Sequence, residues 1–465
     1  HWLLFVNTCI IFFLPLVLKM DNMIGTFLIC AIGGKRIMNI EMSGGLIYEI
    51  IHADKEWVQG EARTLPSGTK VILPPGTEIV NNESIDFKGG KPRVWVEGRQ
   101  LQPRKILITG SSGYVGQHLL ASIALQGIGS ETDTDSEGGT YEIYLAYNAL
   151  PTFEADLDNL LQHNKLHPSI AKVQPISNID FSSSDYIEKI QSAVGATTLD
   201  AIIHLAALSS PGYCENNVGD AWKVNCPVEL LSFSAPIIYL STDQVYEGTK
   251  SYYQEDADET VPVNVYGRTK LAFERVLLGS ATLLSAKELG GNSCEYIPDT
   301  TSPPPPNPNS TILRSSLILG GPTPLKNGCR KGFPSFLQFI ESRLISSTPT
   351  DYFINEFRSV VHITDVLRAI KHFLNKALAS EDDSRGKVGT YNLGGSTRVS
   401  RYDIALKLAS HLKLDYSSAN GVDRPAVGGV PSPPDISMNV SKIANEMRVS
   451  NMDGLNEMIE QTFSA

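Results

Sequence analysis

The sequence has few positive charges and no cysteines arranged to act together. Its 465 residues include 39 Lys and Arg against 50 Asp and Glu, which gives a formal net charge of −11. Nucleic acids and anionic membranes are bound through basic patches, so this charge argues against both as partners. The six cysteines are far apart, with no C-x-x-C and no histidine cluster at ligand spacing. We therefore expect neither a disulfide framework nor a metal site.

The remaining composition is that of a globular protein. Hydrophobic residues make up 42% of the chain and charged residues 19%, which is enough apolar material for a large core and excludes wholesale disorder. The length corresponds to about two to three domains. Reduced, scattered thiols favour a cytoplasmic location.

The beginning of the sequence is its least typical part. The first residue is His1, and Trp2 to Leu18 is almost wholly apolar, at the lower limit of length for a membrane span. For residues 1–42, a signal or anchor, an organelle-targeting leader and a gene-model artefact stay open, and a membrane is a partner only if this run is retained. Residues 43–103 alternate short β-like runs with Pro/Gly turns, which predicts a small β-rich appendage without a motif for chemistry.

A glycine-rich turn follows at residue 105. The apolar run KILIT leads into G-S-S-G-Y-V-G, with Gly110, Gly113 and Gly116, and then into the amphipathic stretch QHLLASIALQG. A strand, a tight glycine turn and a helix bring backbone N–H groups to a pyrophosphate. This order predicts a dinucleotide site, with Gly110 for the turn, Gly113 for the approach of the phosphates and Gly116 for close helix packing.

The spacing T-G-x-x-G-x-x-G resembles the fingerprint of the extended short-chain dehydrogenase/reductase family. Further motifs follow in that family's order: Asp180-Phe181, Asp200-AIIHLAA-Leu208, Trp222-Lys-Val-Asn225, Ile237-IYLSTDQVYEG, and Val265-Tyr266-Gly-Arg-Thr-Lys270. The resemblance covers roughly residues 104–447. It implies an α/β fold: a doubly wound parallel NAD(P)-binding Rossmann sheet with a smaller C-terminal α/β substrate lobe.

The chemistry of these residues fits hydride transfer to a carbonyl, which leaves an alkoxide that must be protonated as it forms. A tyrosine has a pKa near 10, and a lysine one helical turn away favours its phenolate. The resemblance implies Tyr266 as the acid/base, Lys270 as its pKa modifier and ribose ligand, and Thr242 as the anchor of the carbonyl, with Asp243 beside it. It also implies a set of cofactor-binding residues: Gly110, Gly113, Tyr114, Val115, Gly116, Asp180, Phe181, Leu205, Ala206, Ala207, Asn225, Ser241, Tyr266 and Lys270.

The stretch from Leu240 to Glu274 is similar to the dTDP-4-dehydrorhamnose reductase branch of the family, in which Thr is followed by Asp. The resemblance implies a reductase of a nucleotide-linked 4-keto-6-deoxy sugar or a similar ketone. The same branch contains the regulatory β subunit of methionine adenosyltransferase, so a non-catalytic NADP-binding subunit stays open as the alternative. A third interpretation is an epimerase or dehydratase, and the Thr-Asp pair argues against it. A homodimer or a methionine adenosyltransferase partner is compatible with either main reading.

The sequence does not indicate whether the cofactor is NAD or NADP. An acidic loop, residues 127–140, delays the second strand, expected at Tyr141 to Asn148, and the end of that strand has neither an acid for NAD nor an arginine for NADP. We expect NADP by analogy with the branch, with NAD open.

Two departures from the family pattern and two arginines give further expectations. The segment 226–236 is short, so the helix that carries Asn225 must end early and expose an apolar edge, unless the segment is a gene-model deletion. Residues 279–310 form a proline-rich insert, expected to be an exposed loop. Arg358 and Arg424 are candidate contacts for an anionic group. The expected domains are therefore residues 104–320 for the cofactor and mainly 321–465 for the substrate.

Overall fold

The structure is a computed structural model that describes residues 103–128, 140–195, 198–280, 310–325, 335–378, 389–425 and 429–463 and, before them, the backbone of short strands. The chain divides into two units. The first comprises His1–Pro103 with Ser136–Thr140, and the second comprises Arg104–Asp135 with Tyr141–Ala465.

The first unit contains antiparallel strands. Four of them form one sheet in the order β3-β4-β5-β6, and three form another in the order β11-β8-β7. The strands are β1 (Phe5–Val6), β2 (Cys9–Ile10), β3 (Val17–Met20), β4 (Met23–Ile32), β5 (Lys35–Met42), β6 (Leu46–His52), β7 (Ala62–Thr64), β8 (Lys70–Ile72), β9 (Glu78–Val80), β10 (Ser84–Asp86) and β11 (Val96–Glu97). The rest of this unit lies outside the described residues, so a signal or anchor in residues 1–42 stays a prediction.

The second unit is built on a seven-stranded parallel sheet in the order β14-β13-β12-β15-β16-β17-β22. Its strands are β12 (Arg104–Thr109), β13 (Tyr141–Ala146), β14 (Ile170–Ile176), β15 (Ala201–His204), β16 (Ile237–Thr242), β17 (Thr311–Ser315) and β22 (Gly389–Leu393). Successive residues of β12 and β15 are fully buried, as expected for strands covered on both faces. The predicted doubly wound α/β fold is confirmed.

Helices cover both faces of this sheet. On one face, Leu119 and Ile123 of α1 share a core cluster with Val366 and Ile370 of α8. On the other, residues of α3, α5 and α6 form a second cluster. The helices are α1 (Tyr114–Gln126), α2 (Phe153–His163), α3 (Tyr186–Val194), α4 (Pro211–Asn216), α5 (Val218–Asn225), α6 (Val265–Leu277), α7 (Phe336–Ile345), α8 (Ile363–Leu378), α9 (Arg401–Leu412), α10 (Ser441–Glu446) and α11 (Leu455–Phe463).

A third cluster joins α7, α9 and α11 in a smaller C-terminal part. Three two-stranded pairs accompany it, formed by β18 (Ile318–Leu319) with β21 (Val361–His362), β19 (Thr350–Phe353) with β24 (Ala419–Val422), and β20 (Phe357–Arg358) with β23 (Val399–Ser400). The expected substrate range, 321–465, is not one block, because α8 and β22 return to the large sheet between these elements.

The short segment after Asn225 leaves no apolar edge exposed, and that expectation was wrong. A 3-10 helix, Val228–Phe233, takes the place of a longer α-helix and leads directly to β16. Leu230 and Phe233 are fully buried in the core, together with Trp222 of α5. A 3-10 helix rises about 2.0 Å per residue against about 1.5 Å in an α-helix, so few residues span the distance to the sheet while their apolar side chains stay inside.

Two other predicted segments are only partly described. Residues 281–309 of the proline-rich insert and residues 129–139 of the acidic loop lie outside the described residues. The strand expected at Tyr141 to Asn148 is β13, which ends at Ala146.

Candidate active site

The strand order creates a switch point between β12 and β15, at the carboxyl ends of the strands. From β12 the chain passes to β13 and β14 on one side, and then returns to β15, β16 and β17 on the other. In open α/β sheets, ligands bind at such a reversal, beyond the carboxyl ends of the strands. The glycine turn after β12 and the Ser-Thr-Asp end of β16 both lie at this edge.

The glycine turn has space for backbone alone. Gly110 has φ +67°, and a Cβ there would lie 2.7 Å from the backbone nitrogen of Ala206. A Cβ on Gly116 would lie 2.5 Å from the carbonyl oxygen of Gly110. Gly113 is the N-cap of α1, and a Cβ on it would contact only that same oxygen, at 3.1 Å. The turn therefore leaves the first N–H groups of α1 open to an anion.

A cavity of about 880 Å³ joins this turn to the rest of the site. Most of the predicted residues line it: Gly110, Gly113, Tyr114, Val115, Gly116, Leu205, Ala207, Ser241, Thr242, Asp243, Tyr266 and Lys270. The structure thus brings together the glycine turn and the Tyr-x-x-x-Lys motif, which are separated by about 150 residues of sequence.

Helix α6 is pressed against the turn that follows Thr242. Asn264 caps the helix, its Oδ1 accepting a hydrogen bond from the N–H of Gly267 at 2.8 Å, and its Nδ2 donates to Oε1 of Gln244 at 2.7 Å. A Cβ on Gly267 would lie 2.2 Å from the backbone oxygen of Gln244. This close approach sets Tyr266, in the first turn of α6, beside Thr242, and both side chains line the cavity.

Burial raises the pKa of Tyr266, and the charges that Asp243 and Cys214 carry when ionised act in the same direction, while the nearby hydroxyl of Thr242 opposes them. Lys270 is not among these influences. Its Nζ lies 4.2 Å from the ring centroid of Tyr239, and desolvation lowers its own pKa to about 7. The role expected for Lys270 as pKa modifier of Tyr266 therefore stays a prediction.

Asp243 is almost fully buried at the end of β16. Desolvation raises its pKa to about 6, while the positive charge of Arg358 and hydrogen bonds from Ser316 and Thr242 lower it. The Ser316 hydroxyl donates to Oδ2 of Asp243 at 2.9 Å. Near neutral pH this carboxyl is therefore close to the point at which it gains or loses a proton.

Three arginines share one carboxylate at the far wall of the cavity. Glu356 is 2% exposed and lies 3.1 Å from Arg358, 3.3 Å from Arg401 and 3.4 Å from Arg424. Arg358 and Arg401 line the cavity, together with Ser432. One negative charge cannot neutralise three positive ones, so this wall has an excess of positive charge.

Four predicted cofactor residues do not line the cavity. The side chain of Asn225 is buried, and its amide bonds the backbone of Leu208 and the hydroxyl of Thr269. Asp180 accepts hydrogen bonds from Ser182, and the ring of Phe181 packs in the core. Ala206 faces Gly110 instead of the cavity. Asn225 fixes the strand end and α6 to each other, which is a supporting position.

Several lining residues were not predicted. Ser315 ends β17 and Ser316 follows it, and their position at the carboxyl end of a parallel strand is a signal that could have identified them. Leu317, Phe336 and Arg401 also line the cavity. They come from the C-terminal part, and no local motif marks them.

Among the described residues there is no group of three or more His, Cys, Asp or Glu side chains that could hold a metal. The helices of the described part of the chain are also too short or too polar to cross a bilayer.

A parallel Rossmann-like sheet, a glycine turn at its switch point and a Tyr-x-x-x-Lys helix that lines the same cavity agree with the resemblance to the extended short-chain dehydrogenase/reductases. Comparison with known proteins shows which of them the chain is similar to. Residues 104–283 match the family model of the RmlD substrate binding domain. Methionine adenosyltransferase 2 subunit beta of Pongo abelii is 23% identical over 366 residues, which are 77% of this chain and 87% of that protein.

The chain is also similar to two reductases. The dTDP-4-dehydrorhamnose reductase of Sinorhizobium fredii is 31% identical over 135 residues, 28% of this chain and 37% of that protein. The crystal structure of dTDP-4-dehydrorhamnose reductase from Bacillus anthracis in complex with NADP superposes with a TM-score of 0.51 at 16% identity, over 78% of this chain and 99% of that one. The structural likeness confirms the fold, and together the comparisons confirm the resemblance to the dTDP-4-dehydrorhamnose reductase-like branch.

Proposed function

We propose that this protein is an NAD(P)-dependent reductase of a nucleotide-linked 4-keto-6-deoxy sugar or a similar ketone. The observation that carries the proposal is that the side chains of Thr242 and Tyr266 line one cavity with the glycine turn. Two hydroxyls at one point can bind the same carbonyl oxygen, and the turn supplies a place for a dinucleotide within reach of it.

The turn fits the pyrophosphate of NAD(P). A side chain at Gly110 or Gly116 would fill the space between the turn and its neighbours. The N–H groups in the first turn of α1, which begins at Tyr114 and has no side-chain cap, would hold the phosphates. Ser241 and Lys270 line the same cavity and would bind the ribose of the nicotinamide. When bound, the reduced nicotinamide supplies the hydride. We favour NADP by analogy with the dTDP-4-dehydrorhamnose reductases, since the one from Bacillus anthracis was solved with NADP. NAD stays open, because MoeE5, with a TM-score of 0.51, was solved with NAD.

The chain's own groups manage the proton. Thr242 orients the carbonyl, and Tyr266 donates its phenolic proton to the oxygen as negative charge develops there. Because burial keeps the pKa of Tyr266 high, the hydroxyl enters the reaction protonated, as a reduction requires. The ammonium of Lys270, one turn further along α6, adds positive charge near the cofactor and the reacting oxygen.

The arginines at the far wall support a substrate that carries phosphate. Arg358, Arg401 and Arg424 all pair with the one carboxylate of Glu356, and Arg358 also interacts with the charge of Asp243, so three positive groups face two negative ones and a further anion would find unbalanced positive charge at this wall. Guanidinium groups bind phosphate oxygens with directional, charge-assisted hydrogen bonds. A nucleotide sugar carries a diphosphate, whereas a simple ketone does not.

A regulatory subunit is the second candidate. The observation in its favour is the extent of the match to methionine adenosyltransferase 2 subunit beta, which covers 87% of that protein, whereas the match to the 31% identical reductase covers 37%. A regulatory protein of this kind would keep the cofactor site and bind a methionine adenosyltransferase.

The test is NADPH oxidation by the purified chain with dTDP-4-keto-6-deoxy-L-lyxo-hexulose. We expect turnover by the wild type, its loss in Tyr266→Phe, and NADPH binding of similar strength in both. The phenylalanine variant is the matched control, because it removes only the hydroxyl. Absence of turnover in a wild type that binds NADPH and co-purifies with a methionine adenosyltransferase would overturn the enzyme in favour of the regulatory subunit.

A further inference from the structure

Helix α6 carries a second buried charge beyond the Tyr-x-x-x-Lys motif. Glu274 lies four residues after Lys270, and neighbours at this spacing share a helix face. The side chain of Glu274 is fully buried, and it is not part of the cavity lining. A buried carboxylate is retained only where partners compensate its lost hydration.

Those partners come from two strands of the sheet. Arg314 on β17 binds the carboxylate of Glu274 with Nε at 3.2 and 3.1 Å and with NH2 at 2.7 Å. The NH1 group of Arg314 donates a further hydrogen bond to the hydroxyl of Tyr246, at 2.9 Å. Ser241 on β16, which lines the cavity, donates its hydroxyl hydrogen bond to the same carboxylate. The carboxylate is therefore fixed in position between the sheet and the cavity wall.

Lys270 has no such fixed partner. Among the described residues no carboxylate accepts a hydrogen bond from its Nζ, which lies over the ring of Tyr239. The titratable groups that interact with Lys270 come from several elements around it: Glu274 of α6, Tyr239 of β16, His204 of β15, Cys214 of α4, and Cys226 after α5.

Only one of these groups is negatively charged near neutral pH. Burial raises the pKa of Cys214, Cys226, Tyr239 and Tyr266 and lowers that of His204, so all five are uncharged there. Desolvation lowers the pKa of Lys270 itself to about 7, and the charge of Glu274 is the main influence that opposes it. Glu274 is thus the counter-charge of Lys270, although the two form no direct hydrogen bond.

We propose that Glu274, fixed by Arg314, is a positioning residue that keeps Lys270 in its ammonium form and ties Ser241 to the cavity wall. This rests on the proposed function, in which Lys270 and Ser241 bind the nicotinamide ribose. Glu274 acts through these two residues and touches neither cofactor nor substrate. Without its charge, Lys270 becomes a neutral amine at the pH at which the site works.

The direct test is the titration of Lys270 in the cofactor-free protein. Lysine labelled with ¹³C at Cε is followed by NMR from about pH 5 to 10, and the Lys270 signal is assigned by its loss in Lys270→Met. We expect the Glu274→Gln variant to titrate at least about one pH unit below the wild type. Glutamine keeps the volume of the side chain and can still accept hydrogen bonds from Arg314 and Ser241.

The control for net charge is Asp256→Asn. Asp256 is exposed and pairs with Lys442, so its loss changes the net charge by the same amount without touching α6. The Lys270 midpoint should not move in this variant. If circular dichroism shows that Glu274→Gln does not fold, the double variant Glu274→Gln/Arg314→Met, which also removes the unpaired guanidinium, is titrated by the same criterion. A folded variant whose Lys270 midpoint equals that of the wild type overturns the proposal.

A second readout links the charge to the cofactor. At pH 8 the affinity of Glu274→Gln for NADPH should be about tenfold lower than that of the wild type, and the difference should shrink at pH 5.5, where Lys270 is protonated in both. Equal affinities at both pH values overturn the role toward the cofactor. Failure of the wild type to bind NADPH at all overturns the proposed function, and the titration then decides the inference by itself.

Discussion

Gly267 and Gln244 approach so closely that a Cβ on the glycine would lie 2.2 Å from the backbone oxygen of the glutamine. This contact joins the start of α6 to the turn after β16. The two hydroxyls proposed to bind the carbonyl, of Tyr266 and Thr242, belong to residues next to this contact. The distance between the hydroxyls therefore depends on a residue that has no side chain.

The substitution Gly267→Ala tests this dependence. The added methyl group must push α6 away from the turn, because the contact is with backbone, which cannot rotate aside. We expect at least about a hundredfold loss of kcat for the proposed reduction, as small displacements of catalytic groups can cost that much. Gly219→Ala on α5 is the control, since a Cβ there contacts nothing within 4 Å. Equal kcat in the two variants would contradict the argument.

The substitution Gly113→Val tests the phosphate site. Gly113 has φ −77°, which any residue adopts, so the variant should fold. Its side chain would occupy the space in front of the N–H groups of α1 where the pyrophosphate is expected. NADPH should raise the melting temperature of the wild type, because a ligand that binds only the folded state stabilises it. It should leave that of Gly113→Val unchanged, and a normal shift in the variant would place the cofactor elsewhere.

The buried carboxyl of Asp243 predicts a pH dependence of stability. Its pKa is raised from 3.8 in the unfolded chain to about 6 in the folded one, so between these values the folded state binds more protons. Its contribution to stability is therefore present below about pH 4 and is lost as the pH rises through 6. The free energy of unfolding of the wild type, relative to Asp243→Asn, should fall by about 2 to 3 kcal/mol between these limits. Urea unfolding of both proteins at pH 4 and pH 7 measures it, and a constant difference would be the contrary result.

Arg401 and Arg398 offer a matched pair for the anion site. Arg401 lines the cavity and shares Glu356, whereas Arg398 pairs with Asp435 and does not line it. Arg401→Gln should weaken the binding of dTDP about tenfold, the effect of one lost charge-assisted hydrogen bond. Arg398→Gln removes the same charge and should leave the affinity within about twofold. Isothermal titration calorimetry gives both values, and equal losses would show that only the overall charge matters.

Much of the nucleotide-binding half could be predicted from the sequence, because its signals are local. The run before Gly110, the spacing of the glycines and the four-residue step from Tyr266 to Lys270 each fall within one strand, turn or helix. A parallel sheet then gathers the ends of its strands at one edge, so local signals are sufficient to assemble that part of the site.

The remainder of the site depends on partners that no local pattern specifies. Arg401 reaches the cavity because α9 follows β23, which pairs with β20 and brings Glu356 and Arg358 beside it. Asn225, which the resemblance places among the cofactor residues, has its amide hydrogen-bonded to Leu208 and Thr269. In both cases the outcome was decided by long-range hydrogen bonding, which sequence spacing does not encode.

The place of β22 in the sheet has a consequence for synthesis of the chain. Its Gly389 pairs with Thr311 of β17, and α8, which precedes it, covers α1. A nascent chain that has emerged only as far as residue 320 therefore has an unpaired strand edge and an uncovered apolar helix, both of which favour aggregation. The cofactor half cannot be completed before most of the C-terminal part has left the ribosome, so the two halves of the cleft mature together instead of one after the other.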